Sequence, residues 1–137
     1  MSTFKKVLVA VDLEETSANY VLESARQILP DAPITVVHVL ERSHFYNMAD
    51  PAFAMVDDLH RKMVGEVERY LDKLCREHRI KEHHLLEGQP AAEIQRYAEE
   101  SGCDLVVLGT HGRHGIKRLL GSTANAVLHG TSRNVLA

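Results

Sequence analysis

The sequence predicts an α/β fold: an open, five-stranded parallel sheet that carries helices on both faces. Short apolar runs alternate along the chain with longer segments of helical periodicity, and alternation with long crossovers is typical of a parallel sheet. Several of these runs are apolar almost without interruption, as expected of strands that are buried on both faces. The chain has 137 residues, which is too short for two separate cores, so residues 1–137 are expected to form a single domain.

The predicted strands are short and rich in Val, Ile and Leu. The first reads K-K-V-L-V-A-V and ends before Asp12, and the fourth reads D-L-V-V-L-G and leads into a glycine-rich loop. Open parallel sheets bind ligands beyond the carboxyl ends of their strands, so the residues at the ends of the first, second and fourth strands are candidates for a site. The predicted strands span residues 5–11, 34–40, 83–87, 104–109 and 134–137.

Four helices are predicted between the strands. The first begins at Thr16 or Ser17 and ends at Leu29, and the second follows an irregular stretch that ends at Pro51 and stops near residue 78 or 79. The third opens at Pro90 and ends at residues 101–102, and the fourth spans about residues 122–129. The apolar positions expected to face the sheet are Val21, Ala25 and Ile28 in the first helix, Val56, Leu59, Met63, Val67, Tyr70, Leu71 and Leu74 in the second, and Ile94 and Ala98 in the third.

The composition argues against several classes of function. Lys plus Arg is 16 and Asp plus Glu is 19, so the net charge of -3 does not favour a nucleic-acid partner. The longest apolar runs fall far short of the roughly 20 residues that span a bilayer, and the first residues lack a signal-peptide pattern, so no membrane association is expected. Cys75 and Cys103 do not form a C-x-x-C pair, and a cytoplasmic location is expected.

The segment from Gly109 to Thr123, G-T-H-G-R-H-G-I-K-R-L-L-G-S-T, is the candidate ligand-binding loop. It holds four of the eight glycines and three basic residues, with no acidic residue. Glycine lets backbone N–H groups approach an anion, and a helix that begins near Ser122 favours a phosphate at its N-terminus. A loop that crosses the top of a sheet needs glycines in any case, and Ser122 also suits a helix cap, so a purely structural role stays open. The spacing matches neither G-x-x-x-x-G-K-[ST] nor G-x-G-x-x-G.

At this loop the sequence resembles the universal stress protein family. That family carries G-x-x-G, a spacer and then G-[ST]; here Gly109 to Gly112 is followed by a spacer of eight residues, one shorter than usual, and by Gly121 and Ser122. The opening V-L-V-A-V-D, the H-V of the second strand, the phrase D-L-V-V-L-G and the run G-S-T-A-N-A-V-L-H are similar too. The resemblance spans nearly the whole chain.

The resemblance implies a Rossmann-like sheet of the adenine nucleotide alpha hydrolase type, with strand order 3-2-1-4-5, and a homodimer paired through the last strand. It also implies, for one branch of the family, bound ATP, with or without magnesium, and AMP or ADP as further candidates. By position, the implied adenine contacts are Ala10, Val11, Asp12 and Val39, the implied ribose contact is Gly109, and the implied phosphate contacts are Gly112, Gly121, Ser122 and Thr123, with His111 and Arg113 as neighbours.

We therefore predict an adenine-nucleotide-binding regulatory protein of the stress response, not an enzyme. One alternative is a dimeric interaction protein of the same fold that binds no nucleotide, since Glu14 stands where nucleotide-binding relatives commonly have a hydroxyl and the spacer is short. Another is a slow ATPase in which Asp12, Glu14 and His111 meet near the γ-phosphate. No metal site is predicted, because His111 and His114 have no third ligand nearby. His38 is expected to be a satisfied core or strand-end histidine.

Overall fold

The structure of the protein, a computed structural model, describes residues 4–41, 53–109, 126–127 and 134–137. The strands are β1 (Val7–Ala10), β2 (Ile34–Leu40), β3 (Glu82–Glu87), β4 (Leu105–Leu108) and β5 (Asn134–Leu136), and the helices are α1 (Glu15–Ile28), α2 (Phe53–Glu77) and α3 (Pro90–Ser101). The helix predicted over residues 122–129 lies outside the described residues, except for Ala126 and Val127, which are helical. The other predicted strands and helices are confirmed, with ends that differ by a few residues.

The five strands form one parallel sheet in the order β3-β2-β1-β4-β5. This confirms the strand order that the family resemblance implies. Strand β1 is central, with Val7 level with Ile34 on β2 and with Leu105 on β4. Because the chain proceeds from β1 towards β3 on one side and resumes at β4 on the other, the strand order reverses beside β1. The carboxyl ends of β1 and β4 therefore flank the position where sheets of this type bind ligands.

Helices cover both faces of the sheet, and successive side chains along each strand point to opposite faces, so side chains on both faces become buried. Val7 and Val9 pack on one face with residues of α1 and α2. Leu8 and Val106 pack on the other face with residues of α3 and with Val127. The buried faces explain why the central strands read as nearly continuous apolar runs in the sequence.

The third helix begins and ends as the sequence predicts. The side chain of Gln89 accepts a hydrogen bond from the amide of Ala92 at 2.7 Å, and Pro90 occupies the first turn, where its missing N–H costs nothing. Gly102 ends the helix with φ of 72°, a left-handed conformation that glycine adopts without strain. None of the helices in the described part of the chain has the length and apolar composition of a membrane span.

Among the predicted core positions whose side chains the structure describes, which exclude Val56, two are wrong. Ile28 is 59% exposed, because α1 ends there and the next residue, Leu29, turns into the core with 8% exposure. Leu59 is also 59% exposed. At about 3.6 residues per turn, His60 stands almost directly above the buried Leu71 on α2, whereas Leu59 lies about 100° further round the helix. The side chain of His60 accordingly points inward, with 12% exposure.

Candidate functional site

The candidate site lies at the carboxyl ends of β1 and β4, where Asp12 and Gly109 follow the two strands. Asp12 is half-buried, and its Oδ1 accepts a hydrogen bond from the amide of Glu14 at 3.1 Å. This bond closes a tight turn, and the carbonyl of Glu14 in turn accepts from the amide of Ala18 at 2.9 Å in the first turn of α1. Asp12 Oδ2 has no hydrogen-bond partner among the described residues. The turn therefore fixes the Asp12 carboxylate through one oxygen and leaves the other without a partner from the described part of the chain.

Two side chains from other elements hold the backbone of this turn. His38 on β2 contacts the carbonyl oxygen of Val11 through Nδ1 at 2.8 Å, and the hydroxyl of Tyr70 on α2 donates to the carbonyl oxygen of Asp12 at 3.3 Å. The contact of His38 confirms the prediction of a satisfied strand-end histidine. Tyr70 was expected only as an apolar core residue, and its hydroxyl was missed. An aromatic residue with a polar tip is a signal for such a contact, but its position in the sequence does not indicate the partner.

Burial and the nearby carboxylates shift the pKa values of both side chains. Burial lowers the pKa of His38, and this outweighs the opposing effects of its hydrogen bond to Val11 and of the Asp12 charge. Burial, followed by the charges of Asp12, Glu15 and Glu14, raises the pKa of Tyr70 to about 12. At neutral pH the imidazole is therefore uncharged, and the phenol keeps the proton that it donates.

Gly109 lies against helix α1 at the end of β4. A Cβ atom at this position would be 2.8 Å from Cγ2 of Val21, so a side chain at residue 109 would force the Val21 side chain or α1 to move. Gly109 is exposed on its other side. The residue thus allows close packing of α1 while it stays exposed at the end of β4.

The structure brings five of the predicted site residues together at the carboxyl ends of neighbouring strands. They are Ala10, Val11, Asp12, Val39 and Gly109, which end or follow β1, β2 and β4. The other predicted contacts lie outside the described residues, and they are His111, Gly112, Arg113, Gly121, Ser122 and Thr123. Close to that segment, the side chain of Gln95 on α3 donates to the carbonyl oxygen of Ala126 at 3.0 Å. This bond ties residue 126 to the face of the sheet that α3 covers.

The charge of the described part of the site is negative. Asp12, Glu14 and Glu15 follow one another closely, and the side chains of Glu14 and Glu15 are exposed. Within the described ranges, no group of three or more His, Cys, Asp or Glu side chains is arranged to hold a metal ion. The basic residues of the candidate loop, at positions 113, 117 and 118, lie outside the described residues.

Sequence comparisons identify relatives that span the whole chain. The family model described as "Universal stress protein family" matches residues 3–137. Universal stress protein A homolog 2 of Coxiella burnetii is 36% identical over 141 aligned residues, which cover 100% of this chain and 96% of the relative. Universal stress protein A homolog 1 of the same organism is 34% identical and is covered to 95%, with 98% of this chain aligned.

Solved structures share the fold. Universal stress protein UspA from Lactobacillus plantarum superposes with a TM-score of 0.82 at 22% identity, covering 99% of this chain and 98% of that one. The universal stress protein from Archaeoglobus fulgidus in complex with dAMP gives 0.60 at 24% identity, with coverage of 96% and 95%. A universal stress protein family protein from Arabidopsis thaliana with AMP bound gives 0.62 at 20% identity, with coverage of 96% and 89%.

Proposed function

The chain belongs to the universal stress protein family, and from that premise we propose that it is a regulatory protein that binds an adenine nucleotide. The observation that carries the proposal is the half-buried carboxylate of Asp12 at the point where the strand order reverses. One of its oxygens has no partner among the described residues. Structures of the same fold that contain dAMP and AMP support adenine as the base.

In this proposal the adenine and the phosphates bind at opposite ends of the site. Asp12 and the backbone of Val39 hold the adenine, while Ala10 and Val11 line that end and Gly109 faces the ribose. The phosphates extend towards the glycine-rich loop, and the contacts proposed there are His111, Gly112, Arg113, Gly121, Ser122 and Thr123. The negative charge of Glu14 and Glu15 disfavours phosphate near the β1–α1 turn, which is consistent with phosphates that extend away from it. The proposed nucleotide is ATP, with or without magnesium, and AMP and ADP are the further candidates.

A thermal melt with and without nucleotide tests the proposal. We expect Mg-ATP or AMP to stabilise the protein by about 2.7 kcal/mol at a concentration of about 100 times the dissociation constant, and GTP to have a smaller effect. Asp12→Asn keeps an oxygen for the Glu14 amide but removes the charge, and we expect it to weaken adenine nucleotide binding by about tenfold. Asp31→Asn, at an exposed position that makes no described contact, is the matched control. Absence of a shift with every adenine nucleotide would contradict the proposal.

We also propose that the protein is a homodimer paired through β5. In the described sheet, β5 is an edge strand that pairs with β4 on one side only. An edge strand presents unpaired backbone groups, and a second copy would satisfy them. Sedimentation equilibrium at micromolar concentration tests this, and a monomer would contradict it.

A further inference from the structure

The ladder of backbone hydrogen bonds between β1 and β2 stops just after the end of β1. The regular pairing between β1 and β2 stops at Ala10 and Val37, and the next bond runs from the amide of Val11 to the carbonyl of Val37 at 2.9 Å. In a continued parallel ladder, the following bond would join the amide of Val39 to the carbonyl of Val11. His38 Nδ1 contacts that carbonyl instead, at 2.8 Å. The side chain of one β2 residue has thus replaced the backbone amide of the next.

The amide of Val39 faces the site and has no acceptor among the described residues. Backbone groups of residues two apart point to the same side of a strand, so those of Val39, like those of Val37, face β1. Those of Leu40 face the other way, where the Leu40 carbonyl accepts from the amide of Gly88 at 3.0 Å. Val39 is only 9% exposed. A buried N–H group without a partner is rare in folded proteins and is costly unless a ligand or water satisfies it.

We propose that His38 is a positioning residue of the adenine pocket: its ring N–H occupies the Val11 carbonyl and so leaves the Val39 amide free for the base. This inference rests on the proposed function. The N–H and C=O of one residue offer a donor beside an acceptor, which complements the N1 acceptor and N6 amino donor of adenine. His38 therefore does not touch the base but determines that the Val39 backbone can do so.

The chemistry of the ring fits this role. A carbonyl oxygen only accepts, so Nδ1 must carry the proton in the contact with Val11. Burial lowers the pKa of His38, so the ring is neutral at neutral pH and has a single N–H to donate. The donor is fixed on Nδ1 by this contact.

Variants at residue 38 distinguish an effect of the His38 ring on AMP affinity from an effect on the stability of the fold. In His38→Val the strand-compatible side chain donates nothing, so the Val39 amide can pair with the Val11 carbonyl and extend the ladder. We expect the melting temperature without ligand to stay the same or rise, while the affinity for AMP falls by about tenfold. In His38→Asn the amide nitrogen takes the place of Nδ1, and we expect affinity within about threefold of wild type. His84→Val, at an exposed position of the edge strand β3, is the matched control and should not change affinity.

Amide hydrogen exchange followed by NMR provides a readout that does not require a stable variant. In the wild-type protein without nucleotide, the Val39 amide should exchange faster than that of Val37, and AMP should slow it. In His38→Val the Val39 amide should be protected without ligand. Equal protection of Val37 and Val39 in the free wild-type protein would overturn the inference, as would unchanged AMP affinity in His38→Val. If the wild-type protein binds no adenine nucleotide, the proposed function fails and the ligand role of His38 fails with it. If it binds and His38→Val binds equally well, only the inference fails.

Discussion

A Cβ atom on Gly109 would lie 2.8 Å from Cγ2 of Val21, closer than side-chain carbons approach other atoms in folded proteins. Gly109→Ala must therefore displace the Val21 side chain, α1 or the end of β4, and we expect it to lower the free energy of unfolding by about 1–3 kcal/mol. Urea denaturation of the protein without ligand measures this cost. The loss occurs without nucleotide, because the contact belongs to the packing of α1 and not to a ligand.

Two further variants test the origin of the strain at residue 109. Val21→Ala removes the clashing methyl group, so the double variant should be less destabilised than the sum of the single changes by about 1 kcal/mol. Gly65→Ala is the control: it lies within α2, and its Cβ would be 3.6 Å from the end of the flexible Arg69 side chain. We expect that change to stabilise the protein by about 0.5–1 kcal/mol. Additive effects of the changes at residues 109 and 21 would contradict the contact.

Tyr70→Phe removes only the hydroxyl that donates to the Asp12 carbonyl at 3.3 Å. Because the bond is long, we expect a loss of about 0.5–1 kcal/mol in unfolding free energy at neutral pH. Since the pKa of Tyr70 is raised from 10.0 to about 12 in the folded protein, its stabilising effect is complete below pH 10 and is lost as the pH rises towards 12. The difference between wild type and Tyr70→Phe should therefore shrink over that interval.

Unfolding titrations at several alkaline pH values measure the effect of Tyr70. Tyr20→Phe is the matched control, because Tyr20 is 68% exposed and its replacement should leave the unfolding free energy close to that of wild type. A constant difference in unfolding free energy between wild type and Tyr70→Phe up to pH 12 would contradict the raised pKa of Tyr70 in the folded protein.

The carboxylate of Asp104 joins the amino-terminal ends of β1 and β4. It accepts hydrogen bonds from the amides of Lys5 at 2.8 Å and Lys6 at 3.0 Å, and these bonds hold the pKa of Asp104 below its usual range. In Asp104→Asn, one of these N–H groups faces an amide nitrogen, so we expect a loss of about 1 kcal/mol at neutral pH. Asp31→Asn should have no such effect.

The pH dependence of Asp104 has the opposite direction to that of Tyr70. A carboxyl whose pKa is lowered on folding contributes stability above its ordinary pKa of 3.8, and that contribution disappears as the pH falls through the lower value. Wild type and Asp104→Asn should therefore converge in stability as the pH falls below 3.8. Because Asp104 is half-buried at the protein surface, the effect is small and should weaken further in high salt. Equal stability of the two proteins at neutral pH would contradict the role of this carboxylate.

The strands and the end of α3 were predictable because their signals are local, whereas the strand order came from the family resemblance. The apolar runs of β1 and β4 and the glycine that ends α3 each act within a few residues, and their positions were confirmed. The contacts that shape the site are not local: His38 reaches Val11 across 27 positions, and Tyr70 reaches Asp12 across 58. Which carbonyl a polar side chain reaches depends on how the strands and α2 pack, which no short pattern encodes. The exposure of Leu59 was missed because i, i+4 spacing drifts round a long helix.

Both cysteine thiols should be inert in the folded protein. Cys75 and Cys103 are 1% and 0% exposed, and burial, with a smaller effect of the Asp72 charge, raises the pKa of Cys75 to about 11. The reactive species is the thiolate, so at about pH 8 a disulfide reagent should label neither residue until the protein opens. We expect labelling to follow the urea unfolding curve in the single-cysteine variants Cys75→Ser and Cys103→Ser. Rapid modification of the remaining cysteine in either variant under native conditions, at the rate of a small free thiol, would contradict the burial of that cysteine in the core.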